Sequence, residues 1–142
     1  AEAPAYYARR VKGGVGLVIT EATVVDEPHA TAYEDVPGLF EGESAVAWKK
    51  VVDAVHEAGG RIALQIVHAG GQTRADWIGG TTPLGPSKME QPGFGEVEAL
   101  TTGQIQDIVV AFAAAARRGK EAGFDVWYRT AHCSSQHDGS GA

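Results

Sequence analysis

The connections in this chain constrain its fold more than its apolar segments do. Helical stretches return to strands through Gly59-Gly60 and Ala122-Gly123, whereas the strand-to-helix connections run from Thr23 to Glu43 and from Ala69 to Leu100. The segments between them alternate in type. Leu17 to Ala22, with β-branched Val18 and Ile19, is too short for a helix and reads as a strand. From Ala45 to Ala58, Ala47, Trp48, Val51, Val52 and Val55 recur at three-and-four spacing, which predicts an amphipathic helix with Ser44 at its N-cap and Gly59 closing its end. Arg61 to His68 predicts a second strand, with Ile62, Leu64 and Ile66 on one face and Ala63, Gln65 and Val67 on the other. A second helix opens on the capping box Thr101…Gln104 and carries Ile105, Ile108, Val109, Phe112 and Ala116 as its expected core stripe. Phe124 to Tyr128 predicts a third strand. The order β, α, β, α, β implies an α/β fold of parallel strands joined by right-handed crossovers.

In such folds the working face lies beyond the carboxyl ends of the strands, where both long connections fall. Their Pro28, Pro37, Pro83, Pro86 and Pro92 predict ordered irregular loops. Composition narrows the partners. With 12 Lys plus Arg against 18 Asp plus Glu, the net charge of −6 argues against a nucleic-acid binder. The apolar run from Ile105 to Ala116 falls short of the ~20 residues a membrane span needs. One cysteine, Cys133, cannot form an internal disulfide, which makes the cytoplasm the expected compartment. The opening Ala1-Glu2-Ala3-Pro4 carries no initiating Met and reads as a start part-way through a longer protein.

The candidate chemistry is sparse. Gly14-Val15-Gly16 lacks the third glycine of a dinucleotide fingerprint and precedes its strand instead of following it. His132, Cys133 and His137 lie in a polar tail and read as a disordered terminus sooner than a metal site, so no metal is expected. Gln65 is different: an amide inside a buried strand layer needs partners for donor and acceptor alike, either a neighbouring strand or a ligand. At the end of the first strand, the small residue in Glu21-Ala22-Thr23 would let a flat ligand approach the backbone. His68 reads as a strand cap, and His56 as a solvated or dipole-favoured residue near a helix end.

Several segments together resemble the old yellow enzyme family of flavin-dependent oxidoreductases, also called the NADH:flavin oxidoreductase family. They are Tyr6-Tyr7-Ala8-Arg9-Arg10, Gly16-Leu17-Val18-Ile19-Thr20-Glu21-Ala22, Trp48 to His56, Ala58 to Gln65, His68-Ala69-Gly70, Gly85-Pro86-Ser87, Leu100-Thr101-Thr102 and Glu121 to Asp125. The resemblance implies a (β/α)8 barrel that binds FMN at the carboxyl ends of its strands. NAD(P)H reduces the flavin, which passes hydride to an activated alkene such as an enone. It also implies that Gln65 hydrogen-bonds the flavin ring and that Ala22 packs near it, so these two are the expected cofactor-binding residues. No catalytic residue is assigned. A full barrel needs ~250 residues, so this chain is expected to supply a partial (β/α)8 TIM barrel of about three parallel strands and two or three helices.

The chain departs from the family pattern in two places. Gly71 stands where HAGR would place an arginine. After Asp125 the chain reads Val126-Trp127-Tyr128-Arg129-Thr130-Ala131-His132-Cys133, placing Thr130 and Cys133 where the resemblance implies a pair of polar residues holding the substrate oxygen. A one-base shift of this stretch is compatible with codons for Ile-Glu-Leu-His-Ile-Ala-His. The expected division is therefore residues 1–125 as barrel and 126–142 as an aberrant, disordered or frameshifted tail. An isolated chain of this kind is expected to be inactive. The alternative is a noncatalytic α/β module that self-associates through open sheet edges, with Val18, Ala63 and Val67 as its interface.

Overall fold

A computed structural model of the chain describes residues 2–25, 27–40 and 42–131. The elements are α1 (Glu2–Lys12), β1 (Leu17–Val24), α2 (Glu43–Glu57), β2 (Arg61–His68), a 3-10 turn (Ala75–Ile78), β3 (Leu84–Gly85), β4 (Met89–Gln91), β5 (Gly95–Ala99), α3 (Thr102–Ala122) and β6 (Val126–Ala131). Strands β1, β2 and β6 form one parallel sheet in that order, with β2 in the centre. Each long helix packs on the strand it leads into: α1 on β1, α2 on β2 and α3 on β6. This is a partial (β/α)8 barrel: three consecutive strands with three helices on their outer side.

The packing follows from the alternation along β2. Ile62, Leu64 and Ile66 are almost completely buried against the helices, in a core shared with Trp48, Val51, Val52 and Val55 of α2. The glycines close both helices where expected: Gly59 (φ 87°) and Gly123 (φ 94°) take the left-handed conformation, and the Thr101–Gln104 capping box forms.

Several expectations are corrected. The buried face of α3 is Ala111, Ala115, Gly119 and Ala122, while Ile105, Val109 and Val110 are exposed. Small residues win this face because α3 lies close on the sheet: a Cβ at Gly119 would come within 2.7 Å of Leu64 Cδ2. Val18 pairs with Ile62 and is buried on the helix side, and Ala63 and Val67 are buried as well, so none of the three is an exposed surface. The exposed apolar residues of the inner face are Leu17, Ile19, Val126 and Tyr128. Ser44 does not cap α2, whose N-cap is Gly42; its hydroxyl instead accepts the Phe40 N–H at 2.9 Å and donates to the Gly38 carbonyl at 2.8 Å. The connection after β2 is not irregular throughout. It contains the 3-10 turn and a small sheet in which β5 lies between β3 and β4. Strand β6 crosses the division expected after Asp125 and pairs with β2 as far as Ala131. The readings made on His132, Cys133 and His137 lie outside the described residues.

Asp125 pins the amino-terminal end of the sheet. Its Oδ1 accepts from Arg61 at 2.8 Å, and its Oδ2 accepts the Ile62 N–H at 2.9 Å and meets His56 Nε2 at 2.8 Å. His56 is thus engaged by the β6 entry instead of being free in solvent. Burial works to raise the Asp125 carboxyl, but the His56 ring, the Ile62 N–H and Arg61 together outweigh it and hold the group at about 2. Replacing Asp125 by Ala leaves the Ile62 N–H without its acceptor and is expected to cost about 2 kcal/mol in urea unfolding. Gly119→Ala drives a methyl into Leu64 and is expected to cost about 1–3 kcal/mol. An unchanged denaturation midpoint for Gly119→Ala would show that α3 does not depend on this close approach.

Candidate functional site

The parallel register brings the two expected site residues side by side. Ala22 of β1 pairs with Gln65 of β2, which pairs in turn with Tyr128 of β6, so the three share one row near the carboxyl ends of the strands. The row below it is Ile19, Ala63 and Val126, in which buried Ala63 sits between two half-exposed apolar side chains. Ala22 and Gln65 are themselves half-buried and Tyr128 is 40% exposed, so the row presents an amide, a methyl and a phenol at the open inner face.

A register irregularity between Ile19 and Ala22 creates this alignment. Strand β1 places Thr20 and Glu21 opposite the single residue Leu64, a bulge that shifts the face on which Ala22 emerges. Both bulge residues are secured. Thr20 Oγ1 accepts the Gln65 backbone N–H at 2.9 Å, and the Glu21 N–H donates to the Tyr7 hydroxyl of α1 at 3.2 Å. Burial raises the Tyr7 hydroxyl above its ordinary value.

The loop leaving β1 is fastened onto the end of β2. The Val25 N–H donates to the Val67 carbonyl at 3.2 Å and the Ala69 N–H to the Ala30 carbonyl at 3.0 Å. Between these bonds, Glu27 Oε2 accepts from His68 Nε2 at 2.7 Å and from the His29 N–H at 2.8 Å, while Oε1 accepts from His29 Nδ1 at 3.0 Å. His68 Nδ1 accepts the Gly70 N–H at 3.0 Å, which makes the His68 ring neutral with its proton on Nε2. His68, with 5% of its side chain exposed, is thus buried in this clasp at the end of β2. Sequence reasoning missed Glu27, His29 and Tyr128. The alternation Val126, Tyr128 along the third strand was a usable signal for the last; nothing local announces a carboxylate that reaches 41 residues along the chain.

A cleft of about 570 Å3 opens between the two long loops. Tyr33, Phe40 and Trp77 form its walls, together with Glu34, Asp35 and Asp76. Arg74 stands beside it, paired with Asp76 at 2.9 Å and over the Trp77 ring at 5.5 Å. Gly14 and Gly16 lie between α1 and the start of β1, at the opposite end of the strand from Ala22. No group of three or more His, Cys, Asp or Glu among the described residues is placed to hold a metal ion.

Residues 1–131 match the sequence profile of the NADH:flavin oxidoreductase / NADH oxidase family. The chain belongs to that family. It is 40% identical over 129 residues to the flavin oxidoreductase hxnT of Emericella nidulans, covering 84% of this chain and 33% of that protein. It is 39% identical over 122 residues to an NADPH dehydrogenase of Listeria monocytogenes serotype 4b, covering 86% of this chain and 35% of that one. The chain thus spans about a third of the length of the curated relatives it matches. Among solved structures, morphinone reductase in complex with tetrahydroNAD superposes with a TM-score of 0.81 at 33% identity, over 89% of this chain and 39% of that one. The old yellow enzyme homologue from Zymomonas mobilis superposes with a TM-score of 0.80 at 29% identity, over 91% of this chain and 38% of the other.

The Glu27 clasp has a consequence in acid. Burial works to raise its carboxyl, but the hydrogen bonds from His68 and His29 prevail and lower it from 4.5 to about 2. A group lowered on folding stabilises the fold above its unfolded value, and that contribution disappears as pH falls from about 4.5 through about 2. Thermal melts are expected to show Glu27→Gln losing less stability than the parent between pH 6 and pH 3. Parallel losses in the two proteins would remove Glu27 from the acid response.

Proposed function

We propose that this chain forms one wall of an FMN site in a NAD(P)H-dependent oxidoreductase that acts on an activated, enone-type alkene. The Ala22–Gln65–Tyr128 row is the observation that carries this reading. A carboxamide that both donates and accepts suits the polar edge of a flavin ring, and the methyl of Ala22 leaves room beside it for a flat ring to lie against the sheet. Bound FMN would supply the hydride chemistry, relaying a hydride from NADH or NADPH to one carbon of an alkene conjugated to a carbonyl while the other carbon takes a proton. Gln65 orients the ring edge, Ala22 admits the ring, and buried Val24 and Val67 keep water from the layer beyond.

The chain alone is expected to bind without turnover, because Thr130 and Cys133 occupy the places where the family resemblance puts the pair that holds the substrate oxygen. A cytoplasmic setting and a small-molecule substrate, without nucleic acid or membrane, accompany this reading. Among the described residues, no helix is long and apolar enough to cross a membrane. A second reading is favoured by the position of β1 and β6 as edge strands among the described residues, β1 being bridged to Gly38 at Val24, and by exposed Leu17, Ile19, Val126 and Tyr128: a noncatalytic module that self-associates along those edges.

Desalting the chain after incubation with excess FMN tests the first reading. The expected result is a retained, perturbed flavin band and at least tenfold weaker FMN affinity for Gln65→Leu, equivalent to about 1.4 kcal/mol of lost amide hydrogen bonding. Colourless protein, or equal affinity in Gln65→Leu, overturns the site. Colourless protein that also elutes as a defined oligomer favours the module.

A further inference from the structure

We infer that Glu27 is a positioning residue for the Gln65 strand. Its carboxylate joins the loop leaving β1 to the turn leaving β2, so that the carboxyl end of the Ala22–Gln65 row is held from both sides. This deepens the cofactor-site reading, and only its flavin measurement rests on that reading. Both Glu27 oxygens and both His68 ring nitrogens are engaged. An ionised carboxylate only accepts, so His68 Nε2 and His29 Nδ1 must both donate to it, and the Gly70 N–H must donate to the remaining His68 nitrogen. One chain of hydrogen bonds thus runs from the loop after β1, through Glu27 and His68, into the turn at Gly70, with the strand itself leading back three residues to Gln65. His68 lies on the opposite face of β2 from Gln65, so it acts through the backbone and leaves the inner face open. Two flanking backbone bonds, Val25 N–H to Val67 and Ala69 N–H to Ala30, fix the same loop, the second at the first residue of the turn that the Gln72 N–H closes onto the Ala69 carbonyl, but neither engages the Gly70 N–H.

The role depends on hydrogen bonds, which separates two kinds of substitution. In Glu27→Gln the amide oxygen can still accept from His68 and the His29 N–H, while the amide nitrogen donates to His29 in its other tautomer. Glu27→Asp is one methylene short and retains the neighbouring His29 N–H at the expense of His68; Glu27→Ala retains neither. Nitrogen-15 NMR of the full chain is expected to show His68 as the Nε2–H tautomer in the parent and in Glu27→Gln. In Glu27→Asp and Glu27→Ala, Gly70 amide exchange rises at least tenfold and the Gln65 side-chain amide resonances move. FMN retention falls at least fivefold in these two and stays within twofold of the parent in Glu27→Gln. Should Glu27→Ala fail to fold, Glu27→Asp carries the comparison. Unchanged Gly70 exchange in Glu27→Asp overturns the clasp. Faster Gly70 exchange with unmoved Gln65 resonances reduces it to a local strand cap and overturns the positioning role. A parent chain that retains no FMN removes the cofactor reading alone, because the Gly70 and Gln65 measurements need no flavin.

Discussion

The structure depends on the two-sided burial of β2. Its even-numbered residues Ile62, Leu64 and Ile66 are the floor on which α2 and α3 pack, and its odd-numbered residues Ala63, Gln65 and Val67 form the middle of the inner face. One strand thereby builds the core and the candidate site at once. A one-residue slip of its register would exchange the two faces, placing Gln65 among the helices and Leu64 at the mouth. That coupling makes the devices that hold the register matter. Asp125 pins the amino-terminal end of β2 through the Ile62 N–H, the Thr20 hydroxyl receives the Gln65 N–H in mid-strand, and the Glu27–His68 clasp holds the carboxyl end.

Polar residues are divided between the two ends of the sheet by task. Asp125, His56 and Arg61 meet where the strands begin, a position from which they tie α2, β2 and β6 together without approaching the inner row. Glu27, His29, His68, Gln65 and Tyr128 lie where the strands end. In parallel barrels the first location serves stability and the second carries ligand sites, and here the second also holds a structural clasp, Glu27 with His29 and His68, beside the proposed Gln65 row.

Much of this was legible in the chain because it depends on short-range physics. Gly59 and Gly123 are the residues that tolerate the left-handed conformation a helix end requires, and Thr101 with Gln104 forms a reciprocal cap over three residues. Ala22 and Gln65 were identifiable as strand-end residues, and the family resemblance drew attention to them. What failed was any inference that needed distances between elements. Of the apolar stripe expected on α3, Phe112 and Ala116 do pack partly buried against the core, but Ile105 and Val109 are exposed, because the helix lies close on the sheet and turns Ala111, Ala115 and Gly119 inward. Ser44 looked like a cap by type and position, but Gly38 and Phe40 of the preceding loop claim its hydroxyl.

The sequence by itself determined the alternation β1, α2, β2, α3, β6 and the parallel sense of these strands, but not α1 or the small sheet of β3, β4 and β5. These follow from periodicity of 2.0 and 3.6 residues and from the handedness of crossovers, all properties of neighbouring residues. Only the tertiary structure decided that Ala22, Gln65 and Tyr128 stand in one row, because that requires a bulge in β1 whose extra residue is anchored by Tyr7 from a different element. It also decided that Glu27 and His68, 41 residues apart, form one hydrogen-bonded unit. Contacts of that reach depend on where whole strands come to lie, which no local pattern encodes.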